Sequence, residues 1–356
     1  MAMNRTERVL QKMKEHDLTQ LIVSDPYSIL YLTGCFTEPM ERMWVLLLKD
    51  NGEKYLFANR LFNVPELDIP VIWFSDTDDY VGMLARHIDS SRTLGVDKVF
   101  PARFLIPLMN STGVKTVLGS QCVDDVRAVK DKEEQKLMFE SSAVNDKVME
   151  DASRYIKVGM SERQIAEFIA SRYLAYGCQG NSFDSIVSFE ANAADPHHEP
   201  DNTVLQKGQL VLIDIGGRLN GYCSDMTRTF FTDQPDEKHL MIYELVRKAN
   251  EKAISIIKPG VRLKEIDAAA RDLITEAGYG PYFNHRLGHF IGQTDHEQGD
   301  VSSANENPVE PGMIFSIEPG IYLPGEFGVR IEDLVMVTED GCRLLNHVDK
   351  NWKIIG

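Results

Sequence analysis

The chain has 356 residues, 43% hydrophobic and 26% charged, with 25 Gly and 15 Pro, which excludes a disordered or fibrous protein and suggests about two folded domains. Acids outnumber Lys and Arg by 54 to 38, and the net charge of −16 repels phosphate backbones and argues against nucleic acid as a partner. The five cysteines are scattered without a CxxC, no apolar run could cross a membrane, and the start lacks the apolar core of a signal peptide. Reduced thiols in a cytoplasm, with no membrane partner, are therefore expected.

In chain order, Leu21–Val23, Trp44–Leu48, Tyr55–Phe57, Val71–Trp73 and Leu94–Val96 read as strands, with helices at Tyr80–Ile88 and Arg103–Met109. The alternation predicts an N-terminal α/β domain with a mixed or parallel sheet, spanning 1–126. A charged segment, Arg127 to Lys136, opens the second domain, 127–356.

That domain contains an internal repeat. Leu137, Val144, Val148 and Ala152 mark a helical face that leads into Ile156–Met160 and then a helix through Ile165 and Phe168. Met241, Leu245, Ala249 and Ala253 repeat the face, followed by Ile257–Val261 and a helix through Ile266. Strand segments 207–216 and 311–320 align as well. The offset is 101 residues from Ile156 to Ile257 and 104 from Gly208 to Gly312. Two helix-helix-hairpin halves predict a closed, duplicated α+β domain with pseudo-twofold symmetry, since a solenoid needs more repeats.

Each half ends an apolar strand in an acid and supplies another from the next β-like run: Asp214 and Asp225, then Glu318 and Glu332. Acids ending buried runs such as Val211-Leu212-Ile213 are costly unless paired or metal-bound. Four converging carboxylates match two divalent cations in charge. One imidazole, from a set that includes His285 and His289, is plausible additional ligation for Mn²⁺, Fe²⁺, Co²⁺ or Zn²⁺. Phosphate-loop, GxSxG and HExxH motifs are missing from the sequence.

Asp214, Gly221-Tyr222-Cys223-Ser224-Asp225-Met226-Thr227-Arg228-Thr229, Gly288-His289, His296-Glu297, Ile317-Glu318-Pro319-Gly320 and Val329-Arg330-Ile331-Glu332-Asp333 resemble the pita-bread metallopeptidases, prolidases and aminopeptidase P above all. The resemblance covers about residues 130 to 350, and Tyr31-Leu32-Thr33-Gly34 resembles the creatinase-type N-terminal domain that accompanies prolidases. It implies five metal ligands. Asp214 would chelate one ion, Asp225 and Glu332 would bridge two, and His289 and Glu318 would complete the second. It also implies Glu318 as a proton acceptor, His197 and His296 as stabilisers of the tetrahedral intermediate, and Arg330 as a substrate-binding or ligand-orienting residue. Tyr222 and His285 are expected as supporting neighbours.

The implied activity is hydrolysis of Xaa-Pro bonds, in dipeptides first and in longer peptides as the alternative, by a cytoplasmic homodimer with Mn²⁺ as the first-choice metal. A non-catalytic pita-bread binding module is the third reading, disfavoured by the full ligand set. Two departures bear on the pocket. Phe290 stands where the family commonly has glycine and is expected to narrow the pocket. Gly299 and Asp300 stand where proline and a basic residue are common, and Asp300 is expected to repel a substrate carboxylate.

Overall fold

The computed structural model describes residues 3–356. The chain divides between Arg127 and Ala128 into two compact units. The first carries helices α1 (Arg5–Glu15), α2 (Pro26–Thr33), α3 (Tyr80–Ala85), α4 (Ala102–Thr112) and α5 (Gln121–Ala128). Its strands are β1 (Gln20–Val23), β2 (Val45–Lys49), β3 (Lys54–Asn59), β4 (Val71–Phe74), β5 (Leu94–Val96) and β6 (Thr116–Leu118). They form one mixed sheet in the order β4-β3-β2-β1-β5-β6, with β1 antiparallel to β2 and parallel to β5. Fully apolar strands such as Leu46-Leu47-Leu48 are buried on both faces, the pattern of a sheet covered by helices. Helix α3 stops at Ala85, three residues short of the predicted end. Helices α1, α2 and α5 and strand β6 were not predicted. Helix α1 is signalled by an Asn4–Glu7 capping box, and α2 by Asp25 at its N-cap and a left-handed Gly34 at its end.

The second unit begins with α6 (Lys132–Tyr155) and α7 (Glu162–Ala175). Strands β7 (Ile186–Phe189), β8 (Leu210–Ile215), β9 (Arg218–Leu219), β10 (Tyr222–Cys223) and β11 (Met226–Phe231) follow. Helices α8 (Glu237–Ser255) and α9 (Leu263–Glu276) open the second half. Its strands are β12 (Gly288–Phe290), β13 (Glu297–Val301), β14 (Ile314–Ile317), β15 (Gly320–Leu323), β16 (Phe327–Arg330), β17 (Asp333–Val337) and β18 (Cys342–Leu344). Capping boxes at Asp131/Glu134 and Ser161/Gln164 fix the starts of α6 and α7. The larger sheets run β11-β8-β7 and β13-β12-β14-β17-β18. In the first half Asp214 pairs with Thr227 across β8 and β11, and in the second Ile317 pairs with Asp333 across β14 and β17.

The buried helix faces differ from the predicted ones. On α6 they are Met138, Ser141, Asn145, Val148, Met149 and Ala152, and on α8 Ile242, Val246, Ala249, Asn250 and Ala253, while Met241 is exposed. Polar residues sit inside these stripes because they answer backbone carbonyls. Asn145 Nδ2 donates to the Ile215 carbonyl at 3.0 Å, and Asn250 Nδ2 to the Ile317 carbonyl at 2.8 Å. Each therefore ties its helix to the strand end that bears Asp214 or Glu318. The duplication thus extends to the bonds that locate the acids.

Among the described residues no helix is long and apolar enough to cross a membrane. All five cysteines are free.

Candidate metal centre

One cavity of about 380 Å³ gathers Asp214, Asp225, His289, Glu318 and Glu332, together with His197, His285, His296, Arg286, Asp295, Tyr322 and Arg330. Two glycines let the strands close around it. A Cβ on Gly216 would stand 2.1 Å from the Ser224 carbonyl oxygen, and one on Gly288 only 1.9 Å from that of Ser316. Only glycine permits these approaches, two residues after Asp214 and one before His289.

Asp225, in the turn between β10 and β11, and Glu332, between β16 and β17, are 3% and 1% exposed. Together with His289 on β12 they bring potential ligand atoms within 4.8 Å of one another. His289 Nε2 lies 3.4 Å from Asp225 Oδ2 and 3.4 Å from Glu318 Oε1. A β-bulge between His289 and Phe290 interrupts the ladder here. Asp214 Oδ1, Asp225 Oδ1 and Glu332 Oε1 are buried without hydrogen-bond partners.

Burial, then Glu332 and its other acidic neighbours, push Asp225 well above the usual carboxylate range. Burial followed by Glu318 does the same to Glu332, although Thr227 Oγ1 donates to its Oε2 at 2.7 Å. Burial raises Glu318 to about 8. Burial, then His296, hold His289 well below its ordinary value, so its ring is a neutral donor of electron pairs. Acids crowded in this way carry charge together only when cations answer them. Buried oxygens without partners, next to a neutral imidazole, fit divalent ions.

Arg330, 3% exposed at the end of β16, spans the centre. It donates to Asp214 Oδ2 at 2.5 Å, Thr227 Oγ1 at 3.0 Å and the Tyr322 hydroxyl at 2.8 Å. Tyr322 in turn bonds His285 Nε2 at 3.0 Å, and burial lowers His285 to about 4. The neutral His285 places its proton on Nδ1, facing the Arg286 carbonyl at 2.7 Å. Tyr222, the other expected neighbour, donates to Glu134 Oε1 on α6 at 3.0 Å.

His197 and His296 are exposed at the cavity wall. The His296 ring centroid is 3.9 Å from that of His289, and its Nδ1 accepts from Arg286 at 3.2 Å. That bond leaves the proton of a neutral His296 on Nε2. The loop bearing His197 is tied down by Glu162, whose carboxylate accepts from Phe189 N, Asn192 Nδ2 and Asp201 N and bonds His198 Nε2 at 2.7 Å. Glu162, His198 and Asp201 are also grouped closely enough for a metal, but this bonding already satisfies the buried carboxylate.

Two expectations are corrected. Phe290 is 3% exposed, packs on Phe315 at 5.5 Å in the hydrophobic core and lies outside the cavity lining, so it does not narrow the pocket. Asp300 pairs with His289 across the ladder, but its carboxylate accepts from Ser302 Oγ at 2.8 Å. It lies outside the lining and does not repel a ligand there. The sequence reading also passed over Arg286, Asp295 and Tyr322, which no periodicity marks.

Residues 136–339 match Metallopeptidase family M24, and residues 5–129 match the Creatinase/Prolidase N-terminal domain. This chain belongs to metallopeptidase family M24. An uncharacterized peptidase of Staphylococcus saprophyticus is 37% identical to it, over 97% of this chain and all of the relative. Dipeptidase PepE from Mycobacterium ulcerans has a similar structure, with a TM-score of 0.94 and 33% identity over 99% of this chain and 97% of that one. The prolidase from Pyrococcus furiosus gives a TM-score of 0.86 and 31% identity over 96% and 99%.

Proposed function

We propose that this chain is a dinuclear metal-dependent dipeptidase that hydrolyses Xaa-Pro bonds. The carrying observation is that Asp214, Asp225, His289, Glu318 and Glu332 line one cavity, where three of the carboxylates keep buried oxygens without partners. These five residues would hold two divalent ions, with Mn²⁺ as first choice and Co²⁺, Zn²⁺ or Fe²⁺ as alternatives. The chemistry supplied at such a centre is polarisation of the scissile carbonyl and a lowered pKa for the attacking water.

The chain's own groups carry the rest. Glu318 accepts the proton released as water adds to the carbonyl carbon. His296, with its proton on Nε2, and His197 stabilise the tetrahedral oxyanion, and one of them returns a proton to the proline nitrogen. Arg330 holds Asp214 in place and offers the cavity a cation, as does Arg286. A dipeptide ending at proline needs such a partner for its free carboxylate. The similarity to a dipeptidase and a prolidase supports this substrate class. We further propose that the enzyme is a cytoplasmic homodimer, its reduced cysteines being consistent with that compartment.

The test compares kcat/KM for Xaa-Pro dipeptides with the same peptides extended beyond proline, after chelation and after Mn²⁺ is restored. Hydrolysis that vanishes on chelation, returns with Mn²⁺ and falls on extension is expected. Equal or faster cleavage of the extended peptides would reassign the chain to aminopeptidase P activity. Full activity in metal-free protein would overturn the mechanism.

A further inference from the structure

The His197 ring has no bond of its own. Its backbone N donates to Asp195 Oδ1 at 3.0 Å, but among the described residues no hydrogen bond reaches the imidazole, which stands exposed at the cavity wall. With no side-chain bond to fix it, the ring sits where the backbone carries it. That backbone belongs to no sheet. Strand β7 ends at Phe189, a 3₁₀ turn covers Glu190–Ala194, and β8 begins only at Leu210. Glu190 opens the segment at a φ of +45°, a left-handed conformation that persists in a residue with a side chain only when its surroundings impose it.

The segment is held from α7. Glu162 is the first residue of that helix and is fully buried. Its Oε1 accepts from Phe189 N at 2.9 Å and from Asn192 Nδ2 at 3.0 Å. Its Oε2 accepts from His198 Nε2 at 2.7 Å and from Asp201 N at 3.2 Å. The donors bracket His197, two before it in the chain and two after, and His198 is its immediate neighbour. The backbone of α7 adds Glu162 N to the Thr203 carbonyl at 3.2 Å and Arg163 N to that of Asp201 at 3.0 Å, both past His197. A buried carboxylate is costly, and replacing it would strand several buried donors. Glu162 itself does not line the cavity, whereas His197 and His198 do.

We propose that Glu162 is a positioning residue for the hydrolytic step. Through the His198 ring and the loop it brackets, it sets the place of His197 against the developing oxyanion. The inference rests on the role given to His197 above and extends it to a residue that never meets the substrate.

The test measures kcat, KM and bound Mn²⁺ for wild type, Glu162→Gln, His197→Ala and the double variant, with an Xaa-Pro dipeptide as substrate. Glutamine keeps the shape and one acceptor oxygen but turns an NH₂ group toward two of the donors. Glu162→Gln is expected to lower kcat at least about tenfold, since a displacement of about 1 Å in a reacting group can cost 10²-fold. KM and Mn²⁺ uptake should stay near those of wild type. In the His197→Ala background the same substitution should change kcat less than about twofold, because the ring it positions is gone. His198→Ala should lower kcat in the same way, and His198→Gln, which keeps a donor near the Nε2 position, should restore most of it. That pair keeps the proposal testable if Glu162→Gln folds poorly. An equal fall in kcat on both backgrounds, or loss of Mn²⁺ from Glu162→Gln, would overturn the proposal. A His197→Ala enzyme as fast as wild type would instead remove the oxyanion role of His197, and this proposal with it.

Discussion

Phe290 and Gly299 are packed against each other: a Cβ on Gly299 would stand 2.7 Å from Phe290 Cδ2, and Gly299 holds a φ of +118°. The two departures from the family pattern are therefore coupled. A large ring on β12 occupies the space left by a missing side chain on β13, and the cavity on the other side of His289 keeps its width.

This coupling is measurable. Phe290→Ala is expected to cost about 3–5 kcal/mol of stability, the usual range for a buried ring, while metal uptake persists. Gly299→Ala is expected to destabilise through both its φ and the ring contact. In the double variant the ring contact is gone, so the two costs should fall short of their sum by on the order of 1 kcal/mol. Urea denaturation of the four proteins checks this, and strict additivity would show that the contact is not the reason for glycine.

The ligands and the exposed histidines are expected to separate by readout. Asp225→Asn should lose bound metal and activity together. His296→Ala should retain metal and lower kcat by roughly 10²–10³, the range for removing a donor to a developing oxyanion. Metal analysis alongside steady-state kinetics makes the comparison. Metal loss in His296→Ala would place that ring in the coordination shell.

Arg330→Met removes the cation bonded to Asp214 inside a buried site. The expected cost in metal-free protein is about 3–5 kcal/mol, because Asp214 is left uncompensated. Adding Asp214→Asn should recover part of it. If Arg330→Met unfolds at the wild-type urea midpoint, the pair contributes no net stability.

His239 supplies a pH test away from the centre. Its Nε2 lies 2.9 Å from Glu190 Oε1, its Nδ1 lies 2.9 Å from Asp236 Oδ1, and its ring stacks on Phe327. The Glu190 bond outweighs burial and, with Asp236, raises the His239 pKa above its ordinary value. A raised folded pKa means stability that is fully present below the unfolded value of about 6.5 and lost as pH climbs through the folded one. His239→Gln is therefore expected to lower Tm more at pH 6 than at pH 9. An equal drop at both would leave the ring's packing as its whole contribution.

The amino-acid sequence by itself determined the strands Leu21–Val23 and Leu94–Val96, the duplicated halves of the second unit and the acids Asp214, Asp225, Glu318 and Glu332. Apolar runs, turn glycines and a repeat near 100 residues are local patterns, and local patterns survive in one dimension. The helix faces were only partly legible. Asn145 and Asn250 have no place in the apolar faces read from the sequence, and only the strand ends beneath them supply the carbonyls they bond.

The tertiary structure alone decided where the departures point and which groups meet. His289 and Asp300 are partners on one ladder, yet one side chain enters the cavity and the other folds back onto Ser302. Phe290 reads as an obstruction until β14 shows the core that takes it. The approach of His289 Nε2 to Asp225 Oδ2, at 3.4 Å, joins two separate sheets of the second unit. The burial that makes this meeting consequential comes from strands far apart in sequence. A carboxylate's charge state depends on its surroundings, and only the folded chain brings those surroundings together.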